Sequence, residues 1–225
     1  MLNLMEELLL LALDDEKGKI IFSSSSALPY GLRGALLLEL ALMKKIDVVN
    51  KKLVVINDNP TENSLLNNAL EMIANHHKQK KVKYWVSKLK SKMKQLRKDL
   101  LSGLMDKGII EKKDEKILWL IPTKRYPTKN PIPENEVRSR IIDIVLHNKQ
   151  ADERSLMLIS LINSCSLIKE VFAKEDRKIA KKKIKEIVKG ENIGNAIIDQ
   201  VNDEIMVAII AATTAATVAA TSSSS

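Results

Sequence analysis

Aromatic side chains are scarce: Phe, Trp and Tyr together make up 3% of the 225 residues, while hydrophobic residues overall reach 45%. The apolar mass is therefore Leu, Ile, Val and Ala, arranged in runs with helical spacing, which suits helix packing and argues against a sandwich or barrel. The single cysteine, Cys165, excludes an internal disulfide. Its place in the apolar run "LINSCSLI" reads as a buried structural thiol in a reducing compartment. The three histidines, His76, His77 and His147, have no carboxylate or cysteine at ligand spacing, so neither a metal site nor a cofactor is expected. G-x-S-x-G, the P-loop and G-x-G-x-x-G are all missing, no catalytic residue can be assigned, and the chain does not read as an enzyme. The seven glycines and six prolines form no linker, so one core domain is expected. A secretory leader is not expected either, because Glu6 and Glu7 stand where a basic region would be. The late apolar run 205–220 is shorter than the roughly 20 residues a spanning helix needs and is diluted by threonines.

What is abundant is positive charge. Thirty-seven Lys and Arg against 28 Asp and Glu leave a net +9, which favours an anionic partner: nucleic acid, phosphorylated protein or an acidic membrane surface. The charge is concentrated. From Lys78 to Lys98 there are ten Lys or Arg and no acid, more than the net charge of the whole chain. Read as a helix, that stretch puts Trp85, Leu89, Met93, Leu96 and Leu100 on one face and Lys90, Lys94 and Arg97, at i, i+4 and i+7, on another. Cations without acids for i,i+4 pairs repel one another and call for a compensating partner. A solvated amphipathic face is the plainer alternative.

The rest of the chain falls into helices and short extended pieces. Leu2, Met5, Leu8, Leu9 and Ala12 mark a first helix, and Leu32 to Met43 a largely buried second one in which only Arg33 and Glu39 are charged. "KIDVVNKKLVVIND" reads as a small hairpin, and Thr61 or Asn63 caps a helix lined by Leu65, Leu66, Ala69, Leu70 and Ile73. Gly108 ends the basic region as a helix C-cap. "IIEKKDEKILWLIP" reads as a hairpin around its charged turn, with Ile117 to Ile121 as an unbroken apolar second strand. Four further helical segments follow Pro133, and a Ser-rich tail closes the chain.

The chemistry concentrates on "SSSSALPYGLRGALLLELALMKK". Free N–H groups at a helix start carry about half a positive charge and accept anions. In "PYGLRG", Gly31 and Gly34 would let an anion approach, and Arg33 offers a planar fork for two of its oxygens. Lys94 and Arg97 would complete a basic pocket if folding brings them there. The alternative is a structural Arg33 paired with a buried acid such as Glu39; on the residues alone the two readings stand level.

At these residues the chain resembles the Golgi phosphoprotein 3 family. "LNLMEELLLLALDDEKG" is similar to the family's opening L-T-L-M-E-E-V-L-L-L-G-L-K-D, and "GLRGALLLELAL" to its G-L-R-G-C-M-L-I-E-L-A-L. The likeness continues in order through "PTENSLLNNAL", "LRKDLLSGLMDKGII", "DERSLMLISL" and "IMVAIIAA". The resemblance implies a mainly α single globular domain over 1–212, with a four-helix core surrounded by amphipathic helices and a small β-hairpin; the Ala/Thr/Ser-rich stretch 213–225 reads by its composition as a disordered tail. It implies a non-enzymatic peripheral membrane adaptor on the cytoplasmic face of the Golgi, with a cytosolic pool. Such an adaptor binds phosphatidylinositol 4-phosphate through Arg33, Gly34, Lys94 and Arg97. It also implies retention of glycosyltransferases by their cytosolic tails, linkage to the COPI coat of retrograde vesicles, and self-association or membrane contact through a hairpin mapped onto Lys113 to Lys124, with Ile117, Leu118, Trp119 and Leu120 at its apolar centre. The chain departs from the family pattern in three places. Phe22 and the serine run stand where the family has a headgroup-flanking tryptophan, the stretch between Trp85 and Lys94 is shorter, and the Arg-rich extension used for the coat has no counterpart in this sequence. The competing reading, from another class, is a basic winged helix for nucleic acid, built from a helix over 88–107 and the apolar hairpin; scarce aromatics and a short cationic stripe argue against nucleic acid.

Overall fold

The computed structural model describes residues 1–117, 121–188, 204–211 and 214. The fold is mainly α, as the composition and the family resemblance both predict, with two small antiparallel sheets among the described residues.

Helix α1 (Leu4–Leu11) starts at a capping box: Asn3 Oδ1 accepts from the Glu6 N–H at 3.0 Å and the Glu6 carboxylate accepts from the Asn3 N–H at 3.1 Å. All of its residues are buried, Glu6 and Glu7 included. Helix α2 (Leu28–Leu42) begins one turn earlier than the apolar periodicity predicts. Pro29 sits in its first turn, where a missing N–H costs nothing and a fixed φ favours the helix. Gly31 and Gly34 therefore lie inside the helix, and packing explains them. A Cβ on Gly31 would stand 2.2 Å from Cys165 Sγ, and one on Gly34 would stand 2.4 Å from Ile209 Cδ1.

Those approaches define the four-helix core: α1, α2, α7 (Glu153–Ser164) and the helical segment 204–211. Leu32, Leu36, Leu37, Leu38 and Leu40 of α2 are essentially inaccessible, each contributing about 1.5–3 kcal/mol of burial. Helix α3 (Ser64–Ala74) is capped by Asn63, whose side chain accepts from the Leu65 and Leu66 N–H groups, and it packs on α2. A hairpin of β1 (Ile46–Val49) and β2 (Lys52–Val55) turns through Asn50 and Lys51, both at positive φ (51° and 61°). A third strand, β3 (Lys80–Lys81), joins β2 from the basic stretch, a pairing too short to leave a periodic trace in the sequence.

The basic stretch is not one helix. Helix α4 (Val82–Lys92) ends at Met93 (φ −99°, ψ 57°), and α5 (Leu96–Asp106) starts after it. The stripe of Lys90, Lys94 and Arg97 is thus divided by a bend, and the three do not share a helix face. Gly108 ends α5 at φ 68°, as its position predicts.

The second hairpin differs from the residue-level reading. Its strands are β4 (Lys113–Ile117) and β5 (Ile121–Arg125), with Asp114 opposite Lys124 and Ile117 opposite Ile121. The charged segment is thus a strand and not a turn, with Asp114 opposite Lys124 but Lys113 opposite Arg125. The bounds agree with those the resemblance implies. Ile117 closes β4, whereas Leu118, Trp119 and Leu120 lie outside the described residues, as does the tail apart from residue 214. Helices α6 (Ile132–His147), α8 (Ile168–Val171) and α9 (Arg177–Val188) complete the outer layer. No helix among the described residues is long and apolar enough to cross a membrane.

Candidate anion-binding site

Three arginines that reach the core carry a matching acid. Arg154 Nη2 donates to Glu39 Oε1 at 2.6 Å, and the same carboxylate accepts from the Leu4 N–H at 2.8 Å. Arg140 donates to Glu7 at 2.9 Å, and Arg138 to Glu134 at 3.0 Å through Nε. Glu39 is therefore already occupied, and the structural alternative for Arg33 is not what the fold builds.

Arg33 is only 4% exposed and none of its hydrogen bonds reaches a carboxylate. Nη1 donates to the Pro29 carbonyl at 3.0 Å, Nη2 donates to the Met93 carbonyl, and Nε has no partner. The guanidinium lies back over the first turn of α2, as long helical side chains do. The Met93 carbonyl it meets lies at the termination of α4, where the helix dipole is negative, and also accepts from the Leu96 N–H at 3.2 Å. Burial, followed by the nearby Arg97 charge, lowers the Arg33 pKa to about 10, so it stays charged at neutral pH. A buried cation with another cation as its electrostatic neighbour lacks counter-charge, and an anion would supply it.

A second contact crosses the same seam. Lys90 Nζ donates to Tyr30 Oη at 2.7 Å and stands 4.0 Å from the centre of that ring. Tyr30 is buried and lies one turn before Arg33 on α2; Lys90 lies one turn before Met93 on α4. Spacing alone marked Lys90 as cationic and gave no sign of a tyrosine partner sixty residues away.

The remaining predicted residues are placed as follows. Arg97, in the first turn of α5, is exposed and close enough to act on Arg33 electrostatically. Lys94, also exposed, lines a groove between α3 and the start of α5 with Glu71, Met72 and Asp99; neither Arg33 nor Arg97 borders that groove. Gly34 turns its α-carbon to Ile205 and Ile209, so it serves helix packing. Lys80 of β3 and Lys88 of α4 lie over the Tyr84 ring, at 5.5 and 5.3 Å, on another part of α4 from Lys90. Phe22 stands 92% exposed on a 3-10 turn (Phe22–Ser24) ahead of α2.

The domain is thus mainly helical, and its central helix and a neighbouring helix end hold a buried, acid-free guanidinium beside exposed cations. The chain belongs to the Golgi phosphoprotein 3 (GPP34) family, whose model matches residues 4–205. It is similar to vacuolar protein sorting-associated protein 74 of Eremothecium gossypii, 27% identical over 166 residues covering 64% of this chain and 49% of the relative. It is also similar to the protein of the same name from Schizosaccharomyces pombe, 30% identical over 166 residues covering 64% and 48%. Each alignment thus takes in about half the length of the curated relative.

Proposed function

We propose that this protein is a non-enzymatic peripheral membrane adaptor. It docks on phosphatidylinositol 4-phosphate at the cytoplasmic face of the Golgi through Arg33 and Arg97, with Lys94 nearby, and retains glycosyltransferases by their cytosolic tails for retrograde sorting. One observation carries the docking part: Arg33 is buried without a carboxylate, whereas Arg138, Arg140 and Arg154 each have one. Membership of the family and likeness to proteins named for vacuolar sorting support the trafficking role. Tail binding and any COPI contact rest on the family resemblance.

Each basic residue near an anionic leaflet is worth about 1 kcal/mol, so a few such contacts bind weakly alone. Self-association through the β4–β5 hairpin, or simultaneous engagement of a membrane-anchored tail, would strengthen attachment by avidity. Vesicle flotation of wild type and Arg33→Ala, with and without phosphatidylinositol 4-phosphate, tests the reading. Lipid-dependent binding of the wild type alone is expected, and equal binding in all four arms would refute it. A salt-sensitive shift of duplex DNA with no lipid preference would favour the nucleic-acid reading instead.

A further inference from the structure

We propose that Lys90 and Tyr30 form the part of the docking site that selects a phosphate monoester over the diester phosphates of ordinary lipids; this rests on the docking function proposed above. Two rungs join α2 to the end of α4: Tyr30 with Lys90, and Arg33 with Met93. Each step along the seam is three residues on both helices, so the two contacts lie about one helical turn apart along it. Lys94, by contrast, borders a groove with two acids, Glu71 and Asp99.

Counting donors shows what the pair can recognise. An ammonium has three N–H groups and no acceptor, and one of them is spent on Tyr30 Oη. Two remain. Because Tyr30 Oη accepts from Lys90, its own proton is not used in that bond and remains a donor. Tyr30 is held in place by burial, and its ring lies against the ammonium, so both donors are fixed before any ligand arrives. Among the described residues no carboxylate pairs with Lys90. A monoester carries close to two negative charges and three terminal oxygens near neutral pH. A diester presents one charge and two free oxygens, which the docking contacts proposed for Arg33 and Arg97 would meet. The donors at Lys90 and Tyr30 therefore matter for the monoester and add little for the diester.

Vesicle flotation with the full chain tests this. One set of phosphatidylcholine vesicles carries phosphatidylinositol 4-phosphate, and a second set carries phosphatidylserine at matched total charge. Lys90→Gln is expected to lower affinity for the first set roughly tenfold, the loss of a charge-assisted hydrogen bond, and for the second by less than about twofold. Tyr30→Phe, which keeps the buried ring, is expected to lower the first by about threefold. Lys94→Gln should cost less than Lys90→Gln. Competition by soluble inositol 1,4-bisphosphate, absent with the diester glycerophosphoinositol, would show that a monoester phosphate is what the pair reads; a site for free phosphate would instead be emptied equally by inorganic phosphate. Equal losses on both vesicle sets, or a larger loss from Lys94→Gln, would overturn the assignment while leaving the docking function intact. Wild type that binds neither set better than pure phosphatidylcholine would overturn both.

Discussion

Three arginines and a fourth, Arg33, are treated differently by the same fold. Arg154, Arg140 and Arg138 each meet a buried glutamate, from α2, α1 and α6 respectively, and their charges are neutralised inside the chain. Arg33 is more buried than any of them and meets only carbonyl oxygens. The first group ties helices together. Arg33 instead is a buried charge bonded only to carbonyls, which is a poor way to stabilise a protein and is what the proposed docking function would use.

That contrast sets the order of the mutational effects. The largest is expected at Glu39: replacing it with Gln strips the charge from a carboxylate that bonds Arg154 and the first N–H of α1, and should cost about 3 kcal/mol of unfolding free energy in urea titration. A loss under about 0.5 kcal/mol, the range of ordinary surface changes, would erase the distinction between the groups. Next comes Gly31→Ala, whose methyl would overlap Cys165 Sγ and should cost about 1–3 kcal/mol by overpacking. Vesicle binding per folded molecule should be unchanged, which separates the packing role of that glycine from anion approach.

A smaller, pH-dependent effect is expected at Glu134. Burial raises its pKa to about 7, with Arg138 opposing and Asp15 adding to the rise. Protonated Glu134 is thus favoured by the fold: its contribution is complete below the ordinary value of 4.5 and is lost as pH rises through about 7. Thermal melts should therefore fall between pH 5 and 8 in wild type by more than in Glu134→Gln, and identical pH profiles would rule out this carboxyl as the source.

Much of the fold was legible because its signals are local. Leucine periodicity found α1 and the body of α2, Asn63 marked the start of α3, and Gly108 marked the end of α5. Cys165 was legible as a buried thiol, and burial pushes its pKa up to about 12. The site was half legible. Arg33 was conspicuous as one of two charges in an apolar helix, and the acid-free basic stretch announced unmatched cations. Their relation was hidden, since the partner of Arg33 is the main-chain carbonyl of Met93, which no side-chain pattern reveals, and the bend there contains neither proline nor glycine. The same bend separated Lys94 from the helix face on which its spacing had placed it. The hairpin was misplaced for a related reason: a continuous apolar run reads as a strand, while the register that makes a strand of the charged segment depends on cross-strand pairs such as Asp114 with Lys124.

The most direct measurement is a pair of melting curves for wild type and Arg33→Met, each with and without soluble inositol 1,4-bisphosphate. Without ligand, Arg33→Met should melt at or above the wild-type temperature, because an unpaired buried charge has been replaced by an apolar chain. With ligand, only the wild type should gain stability, by the mass-action linkage of binding to folding. A strongly destabilised Arg33→Met, or an equal ligand-induced rise in both proteins, would contradict the account of Arg33 as a docking group.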